Sequence, residues 1–260
     1  MSISAAVKGN TGRAELHSLG GTSGAPDLLF IHGFGSDRFA WAANAPAFFN
    51  THSVWAVELP GHTAAPIDAG EGSAGSMAEA VATSIEGRLQ FPVPVVAHSL
   101  GGAVAVELAK THPDMVSGLF LIAPAGFGVE TNSQFIRAFP GLEAREEAQP
   151  TLEMLASNPR LINAQMVLYV LGFLDQPGRR DALAVIANAL AAQERISPLP
   201  EVPVKAIWGD QDAIHRFDQL AAAEPHVSVE VVEGAGHLPH IEKARQVNAS
   251  IAAFVEALAR

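Results

Sequence analysis

The sequence predicts an α/β architecture: a mostly parallel sheet with helices on both faces, broken once by a wholly helical insertion. Three observations lead there. Short apolar runs alternate with helical stretches along most of the 260 residues. Those runs are almost continuously apolar, as strands covered on both faces must be. Finally, Ser99 stands where one such run, VPVVAH, passes directly into the alanine-rich run LGGAVAVELAK.

In chain order, 14–19 reads as a less buried edge strand. Residues 28–31, 54–57, 93–96, 118–122, 204–207 and 228–232 are the apolar strand candidates. Between them, 40–49, 77–89, 100–111 and 215–223 read as helices, and 247–259 as a last one. From about 132 to 196 the rhythm changes. No strand candidate occurs, and helices are expected at 134–139, 152–156, 160–171 and 179–193, punctuated by Pro140, Gly141, Pro150, Pro159, Pro177 and Gly178. This reads as a helical cap, 132–196, inserted into a core made of 1–131 and 197–260. No repeat or low-complexity tract is evident.

Composition narrows the chemistry. Hydrophobic residues make up 48% and charged residues 17%, enough for one large core. With 27 acidic and 16 basic residues the formal charge is −11, which argues against a nucleic-acid partner. The absence of cysteine excludes disulfides, thiolate zinc sites and a cysteine nucleophile. The opening MSISAAVKGNTGRAEL has neither a signal-peptide core nor a spanning run, and 182–192 is too short to span. A cytoplasmic location without membrane contact is therefore expected.

A serine at a strand-to-helix corner must adopt a strained backbone, and small neighbours (Ala97 before, Gly101 after) leave room for it. Its hydroxyl is then presented at the carboxyl edge of the sheet. Three further signals follow other strands. His32-Gly33-Phe34-Gly35 lets the chain turn tightly, so that the Phe34 amide can join the Leu100 amide in holding an oxyanion. In IWGDQDAIH two acids compete. Counting three residues past the glycine selects Asp212, leaving Asp210 as a turn residue. In EGAGHLPH, Gly234 and Gly236 allow a tight loop carrying His237, which can shuttle a proton to and from Ser99. His240, beyond Pro239, reads as a structural or surface residue.

The other histidines fit supporting roles. His32 and His98 flank the oxyanion region and either orient loops or line a pocket, while His62 in VELPGHTAAP braces loops. No His, Asp and Glu group has metal-ligand spacing, and no phosphate or dinucleotide loop is complete, so neither metal nor cofactor is expected.

Ser99, Asp212 and His237 occur in the order Ser, Asp, His, each after a different strand, where open α/β sheets build sites. On these motifs the chain, from about 28 to 254, resembles the α/β-hydrolase superfamily. LFLIAPAGFGVETNSQFIRAF, the cap and IWGDQDAI resemble one subgroup: the hydrolase-like domain of the dihydrolipoamide acetyltransferase component of acetoin dehydrogenase complexes, and its stand-alone relatives. In fused members a lipoyl domain precedes. Here the strand before His32 begins near residue 28 and no Asp-Lys-Ala site occurs, so none is expected. Against the common pattern, Ala97 replaces a glycine, Glu58 an aspartate and Thr63 a glycine, and His215-Arg216 stand where a proline is usual.

The resemblance implies a serine hydrolase that cleaves a small-molecule ester or thioester through an acyl-enzyme. An acyltransferase with the same triad is the alternative, and a non-catalytic binding protein the third reading. Ser99 in place of an elbow aspartate disfavours epoxide hydrolase and dehalogenase chemistry. Trp41, Phe127 and Leu238, with Met166 and Tyr169 from the cap, join His32 and His98 as pocket candidates. Oligomeric state is not legible.

Overall fold

The computed structural model describes residues 10–127, 131–216 and 227–260. Among these, seven strands form one sheet in the order β1-β3-β2-β4-β5-β6-β7. They are β1 (Glu15–Gly21), β2 (Asp27–Ile31), β3 (Ser53–Glu58), β4 (Val93–His98), β5 (Val116–Ile122), β6 (Val204–Gly209) and β7 (Ser228–Val232). Only β1 runs antiparallel to its neighbour, β3; every other pairing is parallel. Each strand expected from the sequence is present, including the edge strand.

Side chains alternate between two cores with the strand period of two. Leu29, Ile31, Val95, Ala97, Leu119 and Leu121 join one core with α1 (Ala74–Ile85) and α2 (Leu100–Thr111). Leu28, Phe30, Val96, Phe120 and Ile122 join the other with Trp41, Phe48 and the α8 residues Val247, Ile251 and Val255 (α8, Ala244–Leu258; a short α7, Pro239–Glu242, precedes it). Both faces are therefore covered, which is why the strands lack polar alternation.

Between β5 and β6 lie α3 (Ser133–Ala138), α4 (Arg145–Glu153), α5 (Ala164–Leu174) and α6 (Arg179–Ala191). The helix expected at 152–156 lies earlier. Glu146 and Glu147 favour a helix start at Arg145, and Pro150 falls within it. The expected helix at 160–171 starts later, because the Asn163 side chain accepts from the Met166 amide at 3.0 Å and caps α5 there. The stretch 40–49 forms two 3-10 turns, Arg38–Trp41 and Ala45–Phe48, rather than one helix. Pro46, without an N–H, prevents a continuous hydrogen-bond ladder through it. The expected helix at 215–223 falls largely outside the described residues. No helix among those described is long and apolar enough to cross a membrane.

Candidate active site

Ser99 joins β4 to α2 with φ 51° and ψ −117°, a conformation that costs an L-residue energy and persists only when its surroundings enforce it. They do. Its amide donates to the Ile122 carbonyl at 2.9 Å, and its carbonyl accepts from Gly102 at 2.9 Å and Ala125 at 3.0 Å. A Cβ on Gly101 would sit 2.4 Å from the His32 carbonyl oxygen, so only glycine lets α2 approach β2 this closely. Leu100 is the first residue of α2, whose amide has no intrahelical acceptor. Neither that amide nor the Phe34 amide has a hydrogen-bond acceptor among the described residues.

The loop carrying Phe34 is braced by two histidines. His32 Nδ1 lies 2.8 Å from the Gly33 carbonyl, while its Nε2 accepts from the Leu59 amide at 3.1 Å. His62 Nε2 accepts from the Gly35 amide at 3.0 Å, and its Nδ1 lies 3.0 Å from the Pro60 carbonyl. These contacts place the remaining proton of each ring on Nδ1. Burial pushes both rings below the ordinary histidine range, so both stay neutral.

The acid turn after β6 meets the histidine turn after β7. A Cβ on Gly209 would lie 2.2 Å from the Ala235 and Gly236 carbonyl oxygens, so that glycine permits the close approach. His237 Nδ1 then lies 2.9 Å from Asp212 Oδ2, and Asp212 Oδ1 accepts from the Ile214 and His215 amides at 2.8 and 2.9 Å. Burial works against the Asp212 charge. The His237 charge and hydrogen bond, with His215, outweigh it and hold the carboxyl below its usual range.

Asp210 acts on the backbone instead. Its Oδ1 accepts from the Gly234 and Ala235 amides at 2.7 and 3.3 Å, shaping the loop that carries His237. Glu242 holds the same loop from α7, accepting from the Gly236 and Ser157 amides at 2.7 and 2.9 Å. Sequence reasoning missed Glu242, since nothing local ties it to a loop six residues earlier.

A cavity of about 240 Å³ opens over Ser99, His98, His237 and Leu238, roofed by Met166 and Tyr169 of α5 with Phe135 and Phe139. Three pocket candidates do not line it. Trp41 is fully buried, its ring 4.8 Å from Phe30 in the core on one sheet face. Phe127 packs on Trp208 at 6.2 Å. His32 is committed to the loop bonds above. His98 does line the cavity, and its Nε2 lies 2.9 Å from the His237 carbonyl.

His240 is structural rather than superficial: it is fully buried between Trp41 and His98, with ring centroids 5.0 and 4.6 Å away. His215, which the sequence marked only as a departure, stacks on His237 at 5.0 Å. Burial lowers both of their pKa values, to about 3 for His240 and about 4 for His215.

The β1–β3 register brings Glu15 opposite Glu58, and with His17 they form a group able to hold a metal ion, their ligand atoms within 4.8 Å of one another. Sequence spacing could not show this cross-strand group. Arg13 already pairs with Glu15 and Arg38 with Glu58.

Comparison with known proteins agrees with this architecture. The model of the alpha/beta hydrolase family matches residues 28–250. The chain is 34% identical over 242 residues to the dihydrolipoyllysine-residue acetyltransferase component of the acetoin cleaving system of Pseudomonas putida, covering 91% of this chain and 65% of that protein. It is 35% identical over 234 residues to its counterpart in Cupriavidus necator, covering 87% and 62%. The chain thus spans less than two thirds of these relatives' length. Among solved structures, the 2-hydroxy-6-oxo-6-phenylhexa-2,4-dienoate hydrolase of Rhodococcus sp. strain RHA1 superposes with a TM-score of 0.81 at 18% identity, covering 95% of this chain and 96% of that one. With its sheet order, its strained serine corner and a family match over most of its length, the chain belongs to the alpha/beta hydrolase family.

Proposed function

We propose that the protein is a serine hydrolase that cleaves a carboxylic ester or thioester through an acyl-enzyme. The observation that carries this reading is the His237–Asp212 hydrogen bond at the edge of a cavity that also exposes Ser99. Ser99 Oγ attacks the carbonyl carbon and its proton passes to Nε2 of His237. Asp212 keeps the other proton on Nδ1 and stabilises the imidazolium, while the Phe34 and Leu100 amides receive the oxyanion. The bond to the leaving oxygen or sulfur then breaks, that atom takes the Nε2 proton, and Ser99 is left acylated. Water adds by the same route in reverse, releasing the acid and returning the proton to Ser99. The cap, 132–196, roofs the cavity and controls access.

Labelling by a fluorophosphonate, mapped by mass spectrometry, is the test. A single adduct on Ser99, absent from Ser99→Ala, is expected; a folded protein that does not label would be a binding protein that kept the fold. The second reading, acyl transfer to a thiol or alcohol, is favoured by the acetyltransferase name of the two relatives. Product analysis with water and a competing dithiol separates the two, since transfer diverts acyl groups from the acid to the thioester.

A further inference from the structure

The cavity over Ser99 is electrically one-sided. Among the described residues its lining is mainly aliphatic and aromatic, with Ser36, Ser99 and three histidines, contains no lysine or arginine, and includes a single carboxylate, Asp37. Asp37 is 8% exposed and follows directly on the oxyanion loop. Its Oδ1 accepts from the Phe39 amide at 2.8 Å, capping the following 3-10 turn, and its Oδ2 accepts from the Tyr169 hydroxyl of α5. Burial and the Asp37 hydrogen bond raise the Tyr169 pKa, so the phenol keeps its proton and remains a donor.

Of the other titratable groups of the lining, His237 is held by Asp212 and serves as the proton carrier of the proposed relay. His98 and His240 face the cavity, and burial keeps both neutral. Arg38 and Arg179 line the adjoining open cleft of about 630 Å³, which shares Asp37, Phe39, Tyr169 and Phe173 with the inner cavity, and the Asp37 charge acts on Arg179 from there. There Arg38 pairs with Glu58, and Arg179 donates to the Gly61 and Thr63 carbonyls and to Gln176.

We infer that Asp37 is a specificity-determining residue, which admits esters or thioesters whose acyl chain ends uncharged and rejects those whose chain ends in a carboxylate. This rests on the hydrolase reading above. A second anion brought into this mainly apolar cavity beside Asp37 meets a like charge and no lysine or arginine in the described lining. A chain ending in a hydroxyl or amide N–H faces no such barrier. An ionised carboxylate can accept at about four positions, and the Phe39 and Tyr169 bonds occupy two of them.

The test uses two substrates of equal length, p-nitrophenyl hexanoate and the mono-p-nitrophenyl ester of adipic acid, compared by kcat/KM. Wild type should favour the hexanoate by about a hundredfold or more, and Asp37→Asn should reduce that ratio at least about tenfold. Tyr169→Phe removes the donor from Asp37 and should leave the ratio as high or raise it. Equal turnover of both esters by wild type would overturn the assignment. So would an unchanged ratio in Asp37→Asn, which would attribute discrimination to the apolar lining alone. Should Asp37→Asn fail to fold, Asp37→Ser keeps a capping oxygen and serves the same comparison. Should neither ester turn over, labelling rates of Ser99 by an alkyl phosphonate and its carboxylate-ended analogue decide. Equal rates would overturn the filter, whereas no labelling by either would overturn the hydrolase reading, and the filter with it.

Discussion

His237 Nδ1 lies 2.9 Å from Asp212 Oδ2, whereas Asp210 turns its carboxylate onto the amides of Gly234 and Ala235. Two acids in one turn thus hold the same loop in different ways, one by its imidazole and the other by its backbone.

Asp212→Asn should therefore lower kcat by about three to four orders of magnitude, because an amide at this position favours the wrong imidazole tautomer. Asp210→Asn keeps a carbonyl oxygen for the Gly234 amide and should cost no more than about tenfold. Ester turnover by the two folded variants checks the assignment; a larger loss for Asp210→Asn would reverse it.

Ser99→Ala removes one hydroxyl and keeps a small side chain at the corner. Turnover should fall by roughly three to six orders of magnitude, while circular dichroism and the melting temperature stay near those of wild type. Wild-type activity in the purified variant would remove Ser99 from the mechanism.

Met166 and Tyr169 roof the cavity from α5. Enlarging it by Met166→Ala or Tyr169→Ala should move the preferred acyl length upward across a series of p-nitrophenyl esters. Labelling of Ser99 by a small phosphonate should change less, since neither side chain touches the proposed proton relay. A flat chain-length profile in both variants would show that other residues set the length.

Stability should fall with acidification well before the carboxylates titrate. His215 and His240 are buried and neutral, with pKa values lowered to about 4 and about 3 by burial first and the His237 charge second. In the unfolded chain both titrate near 6.5. Between these values the unfolded chain binds more protons, so unfolding free energy decreases as pH falls from about 6.5 toward 4, by up to about 1.4 kcal/mol per pH unit for each ring. Urea titrations between about pH 5 and 7.5 measure the slope. His240→Phe, which can keep the ring packing against Trp41 and His98, should make that slope shallower; an unchanged slope would place the protons elsewhere.

The strands and the serine corner were legible because they rest on local chemistry. A strand buried on both faces must be apolar throughout, as Leu28, Leu29, Phe30 and Ile31 are. A serine corner must have small neighbours, as Gly101 shows by its approach to β2. Element edges were less legible where a cap or a proline decides them, at Asn163, Pro46 and Pro150.

The architecture and the serine corner could be read from the chain because each follows from residues adjacent in it. Which side chains meet across elements depended on tertiary packing. Trp41 turns into the core with Phe30, His215 stacks on His237, and Glu242 holds the loop before α7. Asp37 joins Tyr169, a residue 132 positions away, in the wall that the cavity shares with the open cleft. Strand and turn preferences act over a few neighbouring residues, whereas these contacts depend on how twisted strands and packed helices bring distant segments together.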